Sequence, residues 1–523
     1  MELGVWNLEL SAVKALLLYN DRDFDMEQPL PWNEEALTQD LALNTLFNAM
    51  GNDDKFLLDV VKKVILSGSN DLITILYRQD ILKDCLKNSS IVRGVYNIVV
   101  EAIEEKRKSF WAFFSNRSPN SVLYGANESL QIFIAKLKML RKIADEHGHE
   151  FKSQGFARLF AMLRDELSDE YFAEVETHLT YLGSDHDVLV SAELGVGNKG
   201  TNYILRKPPD RKMGWMRRVM HELSHKSEPF TFHLDPRDER GAEALGNLRD
   251  RGMNLVANAL AQSADHILSF FNMLRIELAF YVGCLNLYDG LARKGEPICF
   301  PVPVASNERR HSFVGLYDLC LALSMKEKVV GNDVNADGKD LVMITGANQG
   351  GKSTFLRSIG LAQLMMQSGM FVAAESFSAN VCEGVFTHYK REEDAAMGSG
   401  KFDEELSRMS DIADHVKPNS LLLLNESFAA TNEREGSEIA RQIVAALLEK
   451  RNKVFFVTHL YSLAHGFHQK GLSNAIFLRA ERQDDGARTF KLIEGEPLET
   501  SYGEDLYKRI FRTPNHNSLF RVP

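Results

Sequence analysis

Cysteine is scarce in this chain of 523 residues, and its five cysteines form no motif. They are widely spaced, they make no Cys-x-x-Cys pair, and no histidine cluster lies near them at the spacing of metal ligands. An odd, scattered set of this kind indicates reduced thiols in a cytosolic chain. The sequence therefore gives no sign of a disulfide framework or a zinc site.

Long apolar runs are also absent, since no stretch of about 18 or more apolar residues occurs. The first residues include acidic side chains and no lysine ahead of an apolar run, unlike a secretory signal. We expect a cytoplasmic protein that does not span a membrane.

Positive charge is in deficit, with 61 Lys and Arg against 72 Asp and Glu and a formal net charge of −11. This balance argues against a surface built wholly for nucleic acid, although a local basic patch can still bind it. The segment "RKPPDRKMGWMRR" (206–218) is such a patch. Its cations could neutralise phosphates while Trp215 stacks on bases, or it could be a solvated loop with Trp215 folded onto the core.

Periodicity divides the chain into four regions. Helical spacing of apolar residues predicts a helical core domain in 1–186, and short β-rich runs predict a β segment in 187–236. An apolar stripe without proline predicts long lever helices in 237–296. Strands that alternate with helices predict an α/β domain with a mostly parallel sheet in 297–523. The fold class is therefore multidomain, helical at first and α/β at the end.

Two glycine motifs need to be distinguished. Gly195, Gly197 and Gly200 spell Gly-x-Gly-x-x-Gly, but another strand follows them and no helix, so we predict a hairpin turn. Gly346-x4-Gly351-Lys352-Ser353, in contrast, follows the apolar strand "LVMIT" and precedes a helical segment. That context predicts a phosphate-binding loop, in which backbone N–H groups and Lys352 hold phosphates and Ser353 offers a hydroxyl to Mg²⁺.

Two further buried strands end in polar side chains. "SLLLLNES" ends in Asn425 and Glu426, and "KVFFVTHL" ends in Thr458 and His459. In a P-loop fold the first pair would hold the magnesium shell and polarise the attacking water. Asn425 lacks the charge of the usual aspartate, so we expect weaker magnesium binding with the base, Glu426, in place. We interpret His459 as a sensor of the γ-phosphate, the alternative being a structural histidine.

The segments "TGANQGGKST", "LLLLNES", "FFVTHL" and "TSYGEDL" resemble the Walker A, Walker B, switch-histidine and terminal Ser-Tyr-Gly elements of the MutS family of DNA mismatch-repair ATPases, which are of the ABC type. "VFTHYK" is similar to the family's Phe-Thr-Arg segment, with His388 in place of arginine. "GSGKFDEELSRM" resembles the signature segment, and there Phe402 and Glu405 match its Phe and Glu while Ser399 is nearest to its serine.

This resemblance implies an ATPase that uses ATP and Mg²⁺, a homodimer that sandwiches two nucleotides, and a DNA partner held by a β-rich clamp at the end of lever helices. Partners among other repair proteins stay unknown. By the resemblance and the motifs together, the residues expected to bind nucleotide are Gly346, Asn348, Gly350, Gly351, Lys352, Ser353, Thr354 and Ser399; the expected metal residues are Ser353 and Asn425; and the expected catalytic residues are Glu426 and His459.

The chain departs from the family pattern in several places. It begins directly in the helical region, so we expect the N-terminal mismatch-recognition and connector domains to be missing. Phe172-Ala173-Glu174 does spell the mismatch wedge Phe-x-Glu, but its acidic, helix-like surroundings favour a core helix. The signature segment is shorter than usual, and Val329 stands where the family often has an aromatic residue for the adenine.

The sequence thus predicts a MutS-like, DNA-binding, Mg²⁺-dependent ATPase that drives a dimeric clamp in repair or recombination, without direct mismatch recognition. Two alternatives remain. One is a nucleotide-gated dimeric switch with little or no turnover, which the uncharged Asn425 favours. The other is a small-molecule phosphotransferase that shares only the P-loop, against which the long helical front half argues.

Overall fold

The computed structural model describes residues 14–112, 119–183, 189–194, 200–206, 238–391, 400–483 and 487–499. The chain divides into two compact units. The first comprises Met1–Ala15, Arg93–Phe151 and Ala157–Arg275, and the second comprises Leu16–Val92, Lys152–Phe156 and Ile276–Pro523.

Helices fill the described residues between 34 and 183, as the periodicity predicts. They run over Glu34–Asp40, Leu43–Gly51, Lys55–Ser67, Leu72–Lys87, Ser89–Ala112, Pro119–His147, Gln154–Glu166 and Asp169–Gly183. Two of them begin at aspartate caps: Asp54 accepts from the N–H groups of Phe56 and Leu57, and Asp71 caps the next helix in the same way. These caps satisfy N–H groups that a helix leaves unpaired at its start.

The proline-free stretch forms one helix of 56 residues, Glu239–Lys294. Its part Val256–Lys294 is long and apolar enough to cross a membrane, but 67% of the most apolar window is buried inside the protein. Burial of that kind is typical of a core helix.

In the first unit, aromatic rings pack between helices, and two strands pair antiparallel. The rings of Phe133 and Phe271 lie 5.4 Å apart between centroids. Strands β1 (Leu189–Leu194) and β2 (Gly200–Arg206) pair antiparallel, with Leu194 opposite Gly200. These strands flank the first glycine motif, whose predicted hairpin turn lies in residues 195–199, outside the described residues. Phe172 is buried within its helix, as expected of a core residue.

In the second unit, a buried carboxylate organises the segment that precedes the first helix. Glu277 accepts hydrogen bonds from the backbone N–H groups of Leu17 (2.8 Å), Leu18 and Phe24 (2.6 Å). Tyr281 donates its hydroxyl to the carbonyl of Leu17. Burial raises the pKa of Glu277 to about 7, against the lowering effect of these N–H donors.

The same unit contains two sheets. Ten strands contribute to them: β3 (Val302–Val304), β4 (His311–Leu316), β5 (Asn332–Asn335), β6 (Leu341–Gly346), β7 (Ser376–Asn380), β8 (Val385–Tyr389), β9 (Leu421–Asn425), β10 (Lys453–Val457), β11 (Ala475–Arg482) and β12 (Arg488–Glu494). The larger sheet has the order β12-β11-β6-β10-β9-β8 and the smaller has the order β3-β7-β4-β5. All neighbours in the larger sheet are parallel except β11 and β12.

The described residues of this part of the unit also form the helices Leu319–Ser324, Lys352–Gln367, Lys401–His415, Glu433–Glu449 and Tyr461–Gln469. Strands β6 and β10 are buried along their whole length, which explains their largely apolar sequences. Because β6, β9 and β10 are parallel neighbours, their carboxyl ends meet at one edge of the sheet, where ligands of such folds bind.

Candidate nucleotide site

The loop after β6 depends on glycine at three positions. Gly346 and Gly351 have φ values of 106° and 84°, in the left-handed region that L side chains rarely adopt. A Cβ at Gly346 would stand 2.8 Å from the backbone nitrogen of Ala480, and one at Gly350 would stand 2.6 Å from the Cβ of Ala480. The loop therefore lies so close to β11 at Gly346 and Gly350 that neither position has room for a Cβ atom.

Lys352 begins the helix that follows this loop, and its side chain is folded over the loop. Its Nζ donates to the carbonyl oxygens of Gly346 (3.0 Å) and Ala347 (2.9 Å). Burial lowers the pKa of Lys352 to about 8, although the nearby Glu426 carboxylate partly offsets this effect. A bound anion would strongly stabilise the charged form of Lys352, because anionic oxygens would replace the stabilisation by water that burial removes.

Ser353 and Asn425 meet across the loop and the end of β9. The Ser353 hydroxyl donates to Oδ1 of Asn425 over 2.9 Å. Both oxygens are neutral ligands of the hard type that Mg²⁺ accepts, and Mg²⁺ commonly uses few protein groups together with water and substrate phosphates. Among the described residues there is no group of three or more His, Cys, Asp or Glu arranged for a metal. The residues present thus fit a magnesium ion held largely by phosphate and water.

Glu426 and His459 form the second polar pair at this edge. Nε2 of His459 lies 2.9 Å from Oε1 of Glu426. This hydrogen bond is the main cause that lowers the pKa of Glu426, so the carboxylate is ionised and the Nε2–H donates. Glu426 has a φ of 54°, an uncommon backbone conformation for a non-glycine residue, and its N–H bonds to the carbonyl of Val457. Strain of this kind at a strand end is typical of functional sites.

Comparison with known proteins identifies the family to which this site's sequence belongs. A family model described as MutS domain V matches residues 342–515, which include the phosphate loop and both polar pairs. A second, described as the MutS2 N-terminal domain, matches residues 70–294. The chain belongs to the MutS family.

Several curated MutS proteins are similar to this chain. The DNA mismatch repair protein MutS of Clostridium botulinum (strain Alaska E43 / Type E3) is 32% identical over 195 residues, which are 35% of this chain and 20% of that protein. MutS protein homolog 4 of Mus musculus is 29% identical over 286 residues, 51% of this chain and 28% of that protein. The chain thus spans less than a third of the length of these relatives.

His388, which replaces the arginine of the MutS Phe-Thr-Arg segment, is fully buried. Its Nδ1 lies 2.7 Å from the Ser427 hydroxyl, and its Nε2 lies 3.0 Å from the carbonyl oxygen of Glu405. Burial lowers the pKa of His388 to about 4, so the ring is neutral. The histidine therefore connects the residue after Glu426 to the helix Lys401–His415. This link depends on the packing of β8 and does not follow from the sequence alone.

The structure describes some of the remaining predicted residues and not others. The carbonyl of Asn348 accepts from Nε of Arg488 over 3.3 Å, and Thr354 lies in the first turn of the helix Lys352–Gln367. Phe402 packs against the core of the MutS-type domain, and the side chain of Glu405 is buried. Ser399 and Trp215 lie outside the described residues, as do the terminal Ser-Tyr-Gly element and most of the basic segment, so their roles stay predictions.

Proposed function

We propose that this chain is a MutS-type DNA-binding ATPase that hydrolyses ATP with Mg²⁺ and works as a dimeric clamp. The observation that carries the proposal is the meeting of a phosphate loop with the pairs Ser353–Asn425 and Glu426–His459 at one sheet edge. Phosphoryl transfer needs positioned phosphates, neutralised charge and an oriented water. Each of these three needs has a candidate group here.

The loop and Lys352 are proposed to hold the phosphates. The N–H groups at the start of the helix Lys352–Gln367 carry partial positive charge that favours anions. Lys352 would exchange the carbonyls of Gly346 and Ala347 for phosphate oxygens, a short movement because its Nζ already lies over the loop. Magnesium beside Ser353 and Asn425 would neutralise phosphate charge.

Glu426 is proposed as the general base. Its ionised carboxylate can accept a hydrogen bond from a water and then its proton as the water attacks. His459 holds one carboxylate oxygen through Nε2–H, which fixes the direction of the other. A role of His459 in sensing the γ-phosphate remains part of the proposal.

The DNA partner, the homodimer and a cytoplasmic location are proposed from the family relationship and from the sequence. Curated relatives at 32% and 33% identity are DNA mismatch repair proteins. Direct mismatch recognition by Phe172 is not proposed, because its ring is buried.

A nucleotide-gated switch with little turnover is the second candidate, and one observation favours it. Asn425 supplies a neutral oxygen where an aspartate would supply a charge, so the metal shell is weaker. Such a switch would bind ATP and dimerise without releasing phosphate.

Steady-state phosphate release with Mg²⁺-ATP, with and without duplex and branched DNA, tests the two candidates. We expect turnover that responds to DNA and falls at least about a hundredfold in Glu426→Gln, since general bases contribute roughly 10²–10⁴ in rate. The matched control is Glu438→Gln, an exposed glutamate that accepts hydrogen bonds from Gln442 and Arg441 on its own helix. ATP-driven dimerisation without phosphate release would instead establish the switch, and absence of nucleotide binding would overturn both.

A further inference from the structure

The loop that begins at Glu426 has an unusual backbone. Glu426 and Phe428 have φ values of 54° and 64°, so two non-glycine residues within three positions lie in the left-handed region. Such conformations cost free energy and persist only where the surrounding structure imposes them. The groups that impose this conformation therefore also determine where the proposed general base stands.

Two backbone contacts hold the residues on either side of the serine in this loop. The N–H of Glu426 donates to the carbonyl of Val457 on β10 over 2.8 Å. Phe428 is fully buried, and its carbonyl oxygen lies so close to Gly436 of the next helix that a Cβ there would clash with it. The serine between these residues needs a contact of its own.

His388 on β8 provides that contact. Its Nδ1 lies 2.7 Å from Oγ of Ser427. The imidazole also stacks on the ring of Phe428, with the ring centroids 5.5 Å apart and the planes 18° from parallel. One buried side chain thus contacts two successive residues of the strained loop.

His388 is itself held on its other side. Its Nε2 lies 3.0 Å from the carbonyl oxygen of Glu405 in the helix Lys401–His415. Its backbone belongs to β8, where it pairs with Leu424 of β9. A fully buried ring with these anchors has little freedom to move, so it can fix the position of the loop.

Packing alone does not need a histidine here, because an apolar side chain could also fill the space beside Phe428. We propose that His388 is a positioning residue, which holds the loop through Ser427 and so keeps the carboxylate of Glu426 directed at the attacking water. This role rests on the proposed hydrolysis and deepens it. A misplacement of about 1 Å can cost on the order of a hundredfold in rate, so a small relaxation of the loop is enough to lower kcat.

Two variants at position 388 separate the two hydrogen bonds of the ring. In His388→Asn the amide takes about the place of Nδ1 and can still bond Ser427, whereas in His388→Gln it reaches the place of Nε2 and can still bond Glu405. We expect His388→Gln to lower kcat by roughly 5- to 30-fold and His388→Asn to lower it less. ATP affinity should stay unchanged in both, because neither change touches the phosphate loop. Single-turnover phosphate release and equilibrium ATP binding measure the two quantities.

Ser427→Ala removes the same hydrogen bond from the other side and should lower kcat by a similar factor. The double variant of Ser427→Ala and His388→Gln should be no slower than either single variant, because both changes remove one shared contact. The matched control is Ser420→Ala, a buried serine that directly precedes β9 at the opposite edge of the sheet. It should change neither kcat nor ATP affinity.

A purely structural histidine would give a different result. Its variants would have a lower thermal midpoint with an unchanged kcat in the folded fraction, and the effects of the two single changes would add. If His388→Asn is as slow as His388→Gln, the bond to Ser427 is not the contact that matters. Either result would overturn the positioning role.

Failure of the proposed function is distinguishable from failure of this role. If the native protein hydrolyses ATP and every variant keeps its kcat, hydrolysis stands and the positioning role is wrong. If the native protein releases no phosphate, the proposed hydrolysis fails, and hydrogen exchange of the Glu426 N–H decides whether His388 holds the loop. Faster exchange in His388→Gln than in the native protein and His388→Asn would support that hold, and equal exchange in all three would overturn it.

Discussion

The hydroxyl of Ser353 donates to the side-chain carbonyl of Asn425 over 2.9 Å, so the two proposed magnesium ligands are already in contact. A carboxylate at position 425 would add a charge beside the metal without moving the strand. We expect Asn425→Asp to lower the Mg²⁺ concentration that gives half-maximal phosphate release by roughly tenfold, about 1.4 kcal/mol. Titration of Mg²⁺ at fixed ATP measures this. Asn425→Ala is the opposite control and should raise the requirement; equal requirements in all three proteins would remove position 425 from the metal shell.

ATP affinity should depend on the protonation of Lys352. Its pKa is about 8 in the free protein because of burial, and anionic phosphates should raise it again on binding. The complex therefore binds the proton more tightly than the free protein, so affinity is full below pH 8 and falls as the pH rises above it. Calorimetry at pH 7, 8 and 9 in buffers of different ionisation enthalpy should show proton uptake that increases above pH 7. Binding without proton uptake at pH 8 would contradict the assignment.

His459 should control the acid limb of the rate profile. The hydrogen bond from His459 makes the largest contribution to the lowered pKa of Glu426. In His459→Ala this pKa should rise, so that activity is lost at a higher pH on acidification, and kcat should also fall. His459→Gln retains an N–H donor and should shift the limb less. If kcat of His459→Ala falls at the same pH on acidification as kcat of the native protein, His459 has a different role.

The helical part of the second unit should lose stability as the pH rises through 7. Glu277 has a folded-state pKa of about 7 against an ordinary value of 4.5. The folded state thus binds the proton more tightly than the unfolded state. The resulting stabilisation of the fold, on the order of 3 kcal/mol, is fully present below about pH 4.5 and is lost as the pH rises through 7. Thermal unfolding between pH 5 and 8 should show a declining midpoint.

Glu277→Gln should flatten this decline, since glutamine does not titrate, and should lower the midpoint at pH 5 because an amide cannot accept from all the N–H groups now bonded. The exposed Glu35→Gln is the matched control and should keep the native slope. A native protein whose midpoint is constant over this range would show that Glu277 does not titrate there.

The strand, the glycine turn and the helix of the proposed phosphate loop can be predicted from local sequence, because they are contiguous in the chain. The approach of Asn425 and Glu426 to that loop was also predictable, since parallel strands of one sheet end at one edge. Arg488 was missed because its approach to the loop follows from the pairing of β12 with β11, and nothing in the segment "ARTFKLIEG" predicts the register of β12. The link from Glu277 to Leu17 was missed for a similar reason, as it joins residues 260 positions apart.

The neutral ring of His388 determines which hydrogen bonds the hydroxyl of Ser427 can donate. A neutral imidazole has one N–H, and the Glu405 carbonyl can only accept, so that proton is on Nε2 and Nδ1 is an acceptor. The Ser427 hydroxyl then has two acceptors within 2.7 Å, Nδ1 and the carbonyl oxygen of His388, and one hydrogen to share between them. The hydroxyl of the residue that follows Glu426 can therefore take two orientations. Rotation about its C–O bond decides whether it donates to the imidazole ring or to the backbone carbonyl of His388.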